Sequence, residues 1–306
     1  MKSNVHAFGM FIRFSPQGST APEFYRQRLG LPLIRVVGNG VADIYWGGEC
    51  SIYEIVFVKD RKPTPEPSHE SAASVPIFRV HNLDDVRRRW TALGVAMTPT
   101  VAHGKAREAY VADPDGYWIG FRQVDDASTD RYDVEARNRR RRGEAFNPGC
   151  KSMPEGVQEV GWLIRRVADV AAMTRFYQDS IGLKRIADEG GRVRFDLGDN
   201  VILELTGGGS SRPPPTDRYH GSSAILFRVS DVSGFRSGVV AGGGKIVNEK
   251  IPLHWAELTY TADPEGAVIG AEQAYHPGTY APEKFVLPEN LEAERRWREH
   301  CAAHPD

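Results

Sequence analysis

The segment ADPDGYWIGFRQ at residues 112–123 returns as ADPEGAVIGAEQ at residues 262–273. It is one of four matched pairs. FYRQRLGL (24–31) answers FYQDSIGL (176–183), IYEI (52–55) answers ILEL (202–205), and FRVHNLDDVR (78–87) answers FRVSDVSGFR (227–236). Their offsets run only from 149 to 152 residues, so order and spacing are kept together. A long fixed period means a repeated structural unit, and it restricts the fold more than any other feature of the chain.

Each copy divides again. The first quarter reads as a strand (FGMFIRF), a helix (APEFYRQRLG) and short strands near LIRVVG, ADIYW and SIYEIVFV. The second reads as a strand (VPIFRV), a helix (LDDVRRRWTALG) and strands near MTPTVA, AREAYVA and YWIGFRQ. The strands are short and broken by Gly or Pro, and the helices carry apolar residues three or four apart, as in Val86, Trp90 and Leu93. The third and fourth quarters repeat the order. The expected class is α+β, with four βαβββ units in two tandem domains at 1–125 and 157–276. Residues 126–156, containing ARNRRRRGE, read as a polar, Arg-rich linker or a helix pairing with nearby acids, and 277–306 as a tail with a short helix capped by Asn290.

The turn at Asp113-Pro114-Asp115-Gly116 has the residues a type I turn favours, and Asp263-Pro264-Glu265-Gly266 matches it. These carboxylates are therefore expected to form turns between the last two strands of each domain rather than to catalyse.

Composition narrows function. With 306 residues and 41% apolar residues the chain can bury a sizeable core. A net charge of −1 gives no bulk attraction to nucleic acid or an acidic membrane, and no apolar run reaches the roughly 18 residues of a spanning helix. The N-terminus lacks signal-peptide features. Three dispersed cysteines without a CxxC pair suit a reduced cytoplasmic protein and argue against a thiolate zinc site. The expected partner is a small molecule, and both monomer and homodimer remain open.

The β-α-β-β-β order, the FY…LGL helix, the FRV strand and the DPDG turn together resemble the vicinal oxygen chelate superfamily, which includes glyoxalase I, bleomycin-resistance proteins and extradiol ring-cleaving dioxygenases. The resemblance covers 5–125 and 157–275. It implies that paired units curl into cups, with metal ligands on the first, fourth and last strands pointing inward. Carried onto this chain, those positions hold Met10, Trp162, Val75, Ala224, Gly120 and Gly270, and only Glu54 and Glu204 keep a carboxylate. One oxygen donor per cup does not hold a divalent metal, since such sites need three or more ligands. No cofactor is expected. The alternative is Fe, Mn or Zn on relocated ligands, pairing His6 with Glu54 and His220 with Glu204, about 13 Å toward the strand ends. The glycines are read as removing charge and opening volume.

A metal-independent lyase or isomerase acting on a small, oxygenated, aromatic molecule follows as the leading expectation. Trp162, Glu204, His254 and Tyr260 are expected to converge in the C-terminal cup, with Glu204 as base, His254 as proton shuttle and Tyr260 as donor to an oxyanion. Ala224, Gly270, Glu272, Glu54, Tyr110 and His103 complete the candidate binding residues. The alternatives are a metal-free sequestering protein, or a dioxygenase or glyoxalase with relocated ligands.

Overall fold

The structure is a computed structural model that describes residues 5–37, 40–47, 52–62, 65–103, 106–142, 156–198, 200–213, 215–219, 221–253 and 256–275. His220, His254 and the tail beyond Tyr275 lie outside the described residues.

Four βαβββ units are present. Unit one holds β1 (Val5–Pro16), β2 (Leu33–Val37), β3 (Ala42–Trp46) and β4 (Ile52–Val58). Unit two holds β5 (Ser74–Val80), β6 (Val101–His103), β7 (Ala106–Ala112) and β8 (Trp118–Val124). Unit three holds β9 (Val157–Arg166), β10 (Lys184–Glu189), β11 (Arg192–Asp196) and β12 (Ile202–Thr206). Unit four holds β13 (Ser223–Val229), β14 (Lys245–Ile246), β15 (Ile251–Pro252), β16 (Ala256–Ala262) and β17 (Val268–Ala274). The helices are α1 (Ala21–Glu23), α2 (Leu83–Ala92), α3 (Arg131–Arg142), α4 (Val170–Arg175) and α5 (Val232–Ala241).

The α+β class stands, but each sheet pairs a unit of the first repeat with a unit of the second rather than two units of the same repeat. One sheet runs β14-β16-β17-β13-β1-β4-β3-β2 and joins units one and four. The other runs β10-β11-β12-β9-β5-β8-β7-β6 and joins units three and two. The seams are the antiparallel pairs β1–β13 and β5–β9. We call them the outer and inner sheets, after the order of their units in the chain. Alternation along each strand sends one set of side chains into the sheet's own cup and the other toward the helices. The helix side forms the largest core, with Phe8, Phe11, Tyr25, Phe78, Trp90, Tyr177, Leu203 and Phe227.

The repeated phrases explain one another. After α1 the helix widens into a π turn at Phe24–Arg28, where Leu29 N–H donates to Phe24 O at 2.9 Å. Gly30, at φ 70°, then lets the chain reverse and enter β2. The same turn recurs at Phe176–Ser180. It presents Tyr25, whose hydroxyl donates to Asp113 Oδ2 at 3.0 Å, and Tyr177, which reaches Asp263 Oδ2 at 3.2 Å. Arg13 Nε sits 2.7 Å from Asp113 Oδ2, and Arg165 lies 3.0 Å from Asp263 Oδ2. The DPDG and DPEG carboxylates thus form turns, as expected, and also clasp an arginine. Because Arg13 belongs to the outer sheet and Asp113 to the inner, each clasp binds one sheet to the other. Removing one partner of such a buried pair costs about 3–5 kcal/mol.

Candidate functional site: two unlike cups

The unit pairing redistributes the candidate residues. Trp162, Glu204 and Tyr110 lie on strands of the inner sheet. Tyr260, Ala224, Gly270, Glu272 and Glu54 lie on strands of the outer sheet. The expected trio of Glu204, His254 and Tyr260 is therefore corrected. Glu204 and Tyr260 occupy different cups, because unit three pairs with unit two rather than with unit four. His254 lies outside the described residues. His103 ends β6 on the edge of the inner sheet.

The inner cup is filled. Trp162 is 2% exposed and packs with Val75, Ile77, Tyr110, Ile164 and Ile202. The Arg79 and Arg122 guanidinium carbons stand 4.7 and 4.3 Å from its ring centroid. Arg79 pairs with Glu159 and Arg122 with Glu108, both at 2.7 Å. Tyr132, near the start of α3, joins this cluster and packs over the cup. From the other side His69 stacks on Tyr110, with ring centroids 3.9 Å apart. Glu204 is buried and held by Arg194 Nε at 2.9 Å and Arg192 at 3.4 Å. Both of its oxygens are thus engaged by arginines of β11.

The outer cup is lined differently. Met10, Ile12, Phe14, Ile44, Ile52, Ala224, Leu226, Leu258, Tyr260 and Val268 form its apolar wall. Ile34, Val37, Val56, Val58, Tyr219, Val247, Ile251 and Leu253 surround that wall and stay only partly buried. Glu54, on the inward face of β4, is also half-buried. Burial pushes the Tyr260 hydroxyl well above its ordinary pKa; the Glu54 charge adds to the rise, and Arg218 opposes it. Glu54 and Tyr260 sit on strands four places apart in the sheet, so only the curl of the sheet brings the glutamate's charge to the phenol. Arg218 caps the tyrosine side, 4.7 Å from the Tyr219 ring and 5.6 Å from the Tyr260 ring.

The model of the glyoxalase/bleomycin resistance protein/dioxygenase superfamily matches residues 9–121 and 159–270. The chain belongs to this superfamily. Among solved structures it is similar to a "putative dioxygenase" from Bacillus subtilis, at 14% identity and TM-score 0.63, over 98% of this chain and 97% of that one. It is also similar to glyoxalase I from Zea mays, at 15% identity and TM-score 0.56, over 87% and 92% of the two chains. A point mutant of the maize protein aligns with TM-score 0.58 at 16% identity, over 87% and 92%. Identities this low carry the fold alone. No curated protein matches the chain.

The superfamily's inward positions can now be tested for a metal. In the outer cup they are Met10, Ala224, Gly270 and Glu54, on the four adjacent strands β1, β13, β17 and β4. In the inner cup they are Trp162, Val75, Gly120 and Glu204, the last already paired with two arginines. A thioether and one carboxylate, or one neutralised carboxylate, do not fit a divalent cation that requires three or more good donors. Among the described residues no group of three His, Cys, Asp or Glu side chains gathers elsewhere. The relocated set fits no better. Glu54 pairs with Ile12, six residues from the exposed His6, which is about 20 Å along the strand. His220 precedes β13 of the outer sheet, whereas Glu204 lies in the inner one.

The two glycines do not open volume, which corrects the sequence reading. A Cβ at Gly120 would stand 2.9 Å from Tyr110 Cε1 and from Ile77 Cγ1. At Gly270 it would meet Thr259 O at 2.5 Å. Neighbours have moved into the space. Sequence reasoning also missed Tyr132, His69, Arg79, Arg122, Arg218 and Arg228. Arg79 and Arg228 were within reach of it: each continues the inward alternation of an FRV strand.

Proposed function

We propose that the outer cup takes up a small, largely apolar, oxygen-bearing molecule and moves a proton within it, without a bound divalent metal. The observation that carries this reading is the placement of Glu54 and Tyr260 on opposite walls of an apolar cup, close enough for their charges to be felt. Glu54 takes a proton from a carbon beside a carbonyl. The C–H electron pair moves to the carbonyl oxygen, and the Tyr260 hydroxyl donates a hydrogen bond to that oxygen as its charge develops. In a substrate with a β,γ double bond, return of the proton to the γ-carbon as the oxygen's electron pair re-forms the carbonyl shifts the double bond into conjugation and completes an isomerisation. Apolar walls with few polar groups are what a small-molecule pocket needs.

Chelator-treated protein incubated with acetophenone in deuterated buffer tests this directly. Deuterium incorporation at the methyl carbon is expected, and Glu54→Gln lowers its rate about 100-fold. Incorporation that needs added metal, or that survives in Glu54→Gln, contradicts the reading. A second reading, sequestration without turnover, is favoured by the dominance of apolar over polar lining in the same cup. It is selected if aryl ketones bind tightly and exchange no deuterium.

A further inference from the structure

Glu272 has no obvious reason to be where it is. It stands on β17 in line with Val268 and Gly270, on the inward face, and is 0% exposed. Its Oε1 accepts from Arg228 Nε at 3.2 Å. Its Oε2 is buried and has no hydrogen-bond partner. Leaving a buried carboxylate oxygen unmatched is costly, since it loses its water without gaining a donor. Space has nevertheless been made for it. A Cβ at Gly9, in the irregular step of β1 between Phe8 and Met10, would fall 2.5 Å from Glu272 Oε1. Any other residue at position 9 would push the carboxylate aside.

The inner cup shows what a satisfied arrangement looks like. At the position matching Glu272 stands Arg122, which pairs with Glu108 at 2.7 Å, and Glu108 also accepts the Tyr110 hydroxyl. The outer cup has Leu258 where the inner has Glu108 and keeps the tyrosine as Tyr260. The carboxylate has moved across to β17 and lost its tyrosine donor. Its charge still reaches Tyr260, so it borders the same end of the cup.

We infer that Glu272 is a ligand-recognising residue of the outer cup, and that the molecule bound there brings a hydroxyl or N–H that donates to Glu272 Oε2. This rests on the reading of the outer cup as the binding site and narrows it. The ligand carries two polar functions, an acceptor for Tyr260 and a donor for Glu272, which one hydroxyl group supplies. Arg228 holds the carboxylate in place, and Gly9 admits it.

Fluorescence titration of the full chain with 2-naphthol and with 2-methoxynaphthalene tests the donor. The two probes share shape and the ether or hydroxyl oxygen and differ in the O–H. Wild type is expected to bind 2-naphthol at least tenfold tighter. Glu272→Gln keeps an acceptor for Arg228 and places an amide where the free oxygen stood, so the preference shrinks to within about twofold. Equal affinity for both probes in wild type overturns the inference, as does a tenfold preference that persists in Glu272→Gln. Failure of both probes to bind defeats the outer-cup reading itself and this inference with it. Gly9→Ala, which leaves Glu272 intact but displaced, gives a second check: it lowers 2-naphthol affinity and leaves that of the ether unchanged.

Discussion

Position for position, the inner and outer cups use the same places. Trp162 stands where Met10 stands, Val75 where Ala224, Glu204 where Glu54, Gly120 where Gly270, and Tyr110 where Tyr260. Their contents differ in kind. The inner cup holds an indole between two guanidinium groups, with ion pairs balancing the arginines and Tyr132 and His69 packed on the two sides. The outer cup keeps a smaller, flexible Met10 at its centre and a ring of partly buried apolar residues around it. One scaffold has thus been filled with aromatic and charged side chains in one copy and lined with apolar side chains in the other. A shared fold fixes where inward positions are, and the side chains placed there decide whether the space is core or site.

The largest expected difference between the cups is energetic. Trp162→Ala removes the inner cup's central packing and destabilises the protein by about 3–5 kcal/mol, whereas Met10→Ala removes a smaller side chain and costs about 2 kcal/mol. Denaturant unfolding of both variants measures this, and equal losses would erase the distinction. Next come the matched carboxylates. Glu204→Gln strands two arginines and costs about 1.5–3 kcal/mol with ligand binding unchanged. Glu54→Gln leaves stability within about 1 kcal/mol and lowers turnover about 100-fold. A swap of these outcomes would move the working site to the inner cup.

Much of the contrast was unreadable in the sequence, for physical reasons. The repeat, the strand–helix order and the DPDG turn were legible because local chemistry writes them: Pro and Gly at set turn positions, apolar residues at helical or alternating spacing. Which units share a sheet was not legible. β1 and β13 meet through backbone hydrogen bonds, and the apolar inward faces of all four units are compatible with either pairing. That one topological choice separated Glu204 from Tyr260 and brought Glu54 to face Tyr260 instead. The packing over the inner cup was hidden for a similar reason: Tyr132 sits in a segment whose arginines dominate its composition, and only tertiary packing places it there.

Smaller effects sharpen the comparison further. Tyr260→Phe is expected to weaken 2-naphthol binding about fivefold, while Tyr110→Phe leaves binding untouched and costs about 1 kcal/mol through the lost hydrogen bond to Glu108, which keeps its ion pair with Arg122. Paired titrations and melts of the two variants check it. The smallest expected effect is on pH dependence. Burial raises the Glu272 pKa above its ordinary value of 4.5, and Arg228 only partly opposes this. A carboxyl raised by folding favours the native state fully below its unfolded pKa, and this advantage is lost as pH rises through the folded pKa. Wild type should therefore lose stability relative to Glu272→Gln as pH climbs from the ordinary carboxyl range through the raised folded pKa, which denaturant unfolding at a series of pH values measures. A flat difference would place the carboxylate in a more polar setting than its burial indicates.

The proposed function makes the sharpest difference between the cups one of admission: the outer would receive a ligand, and do so without a metal. Titration of chelator-treated protein with 2-naphthol, alongside a Met10→Trp variant that carries the inner cup's plug into the outer cup, tests this most directly. One molecule bound per chain is expected in wild type and none in Met10→Trp. Two molecules per chain, binding that survives Met10→Trp, or binding that appears only after iron, manganese or zinc is added would contradict it.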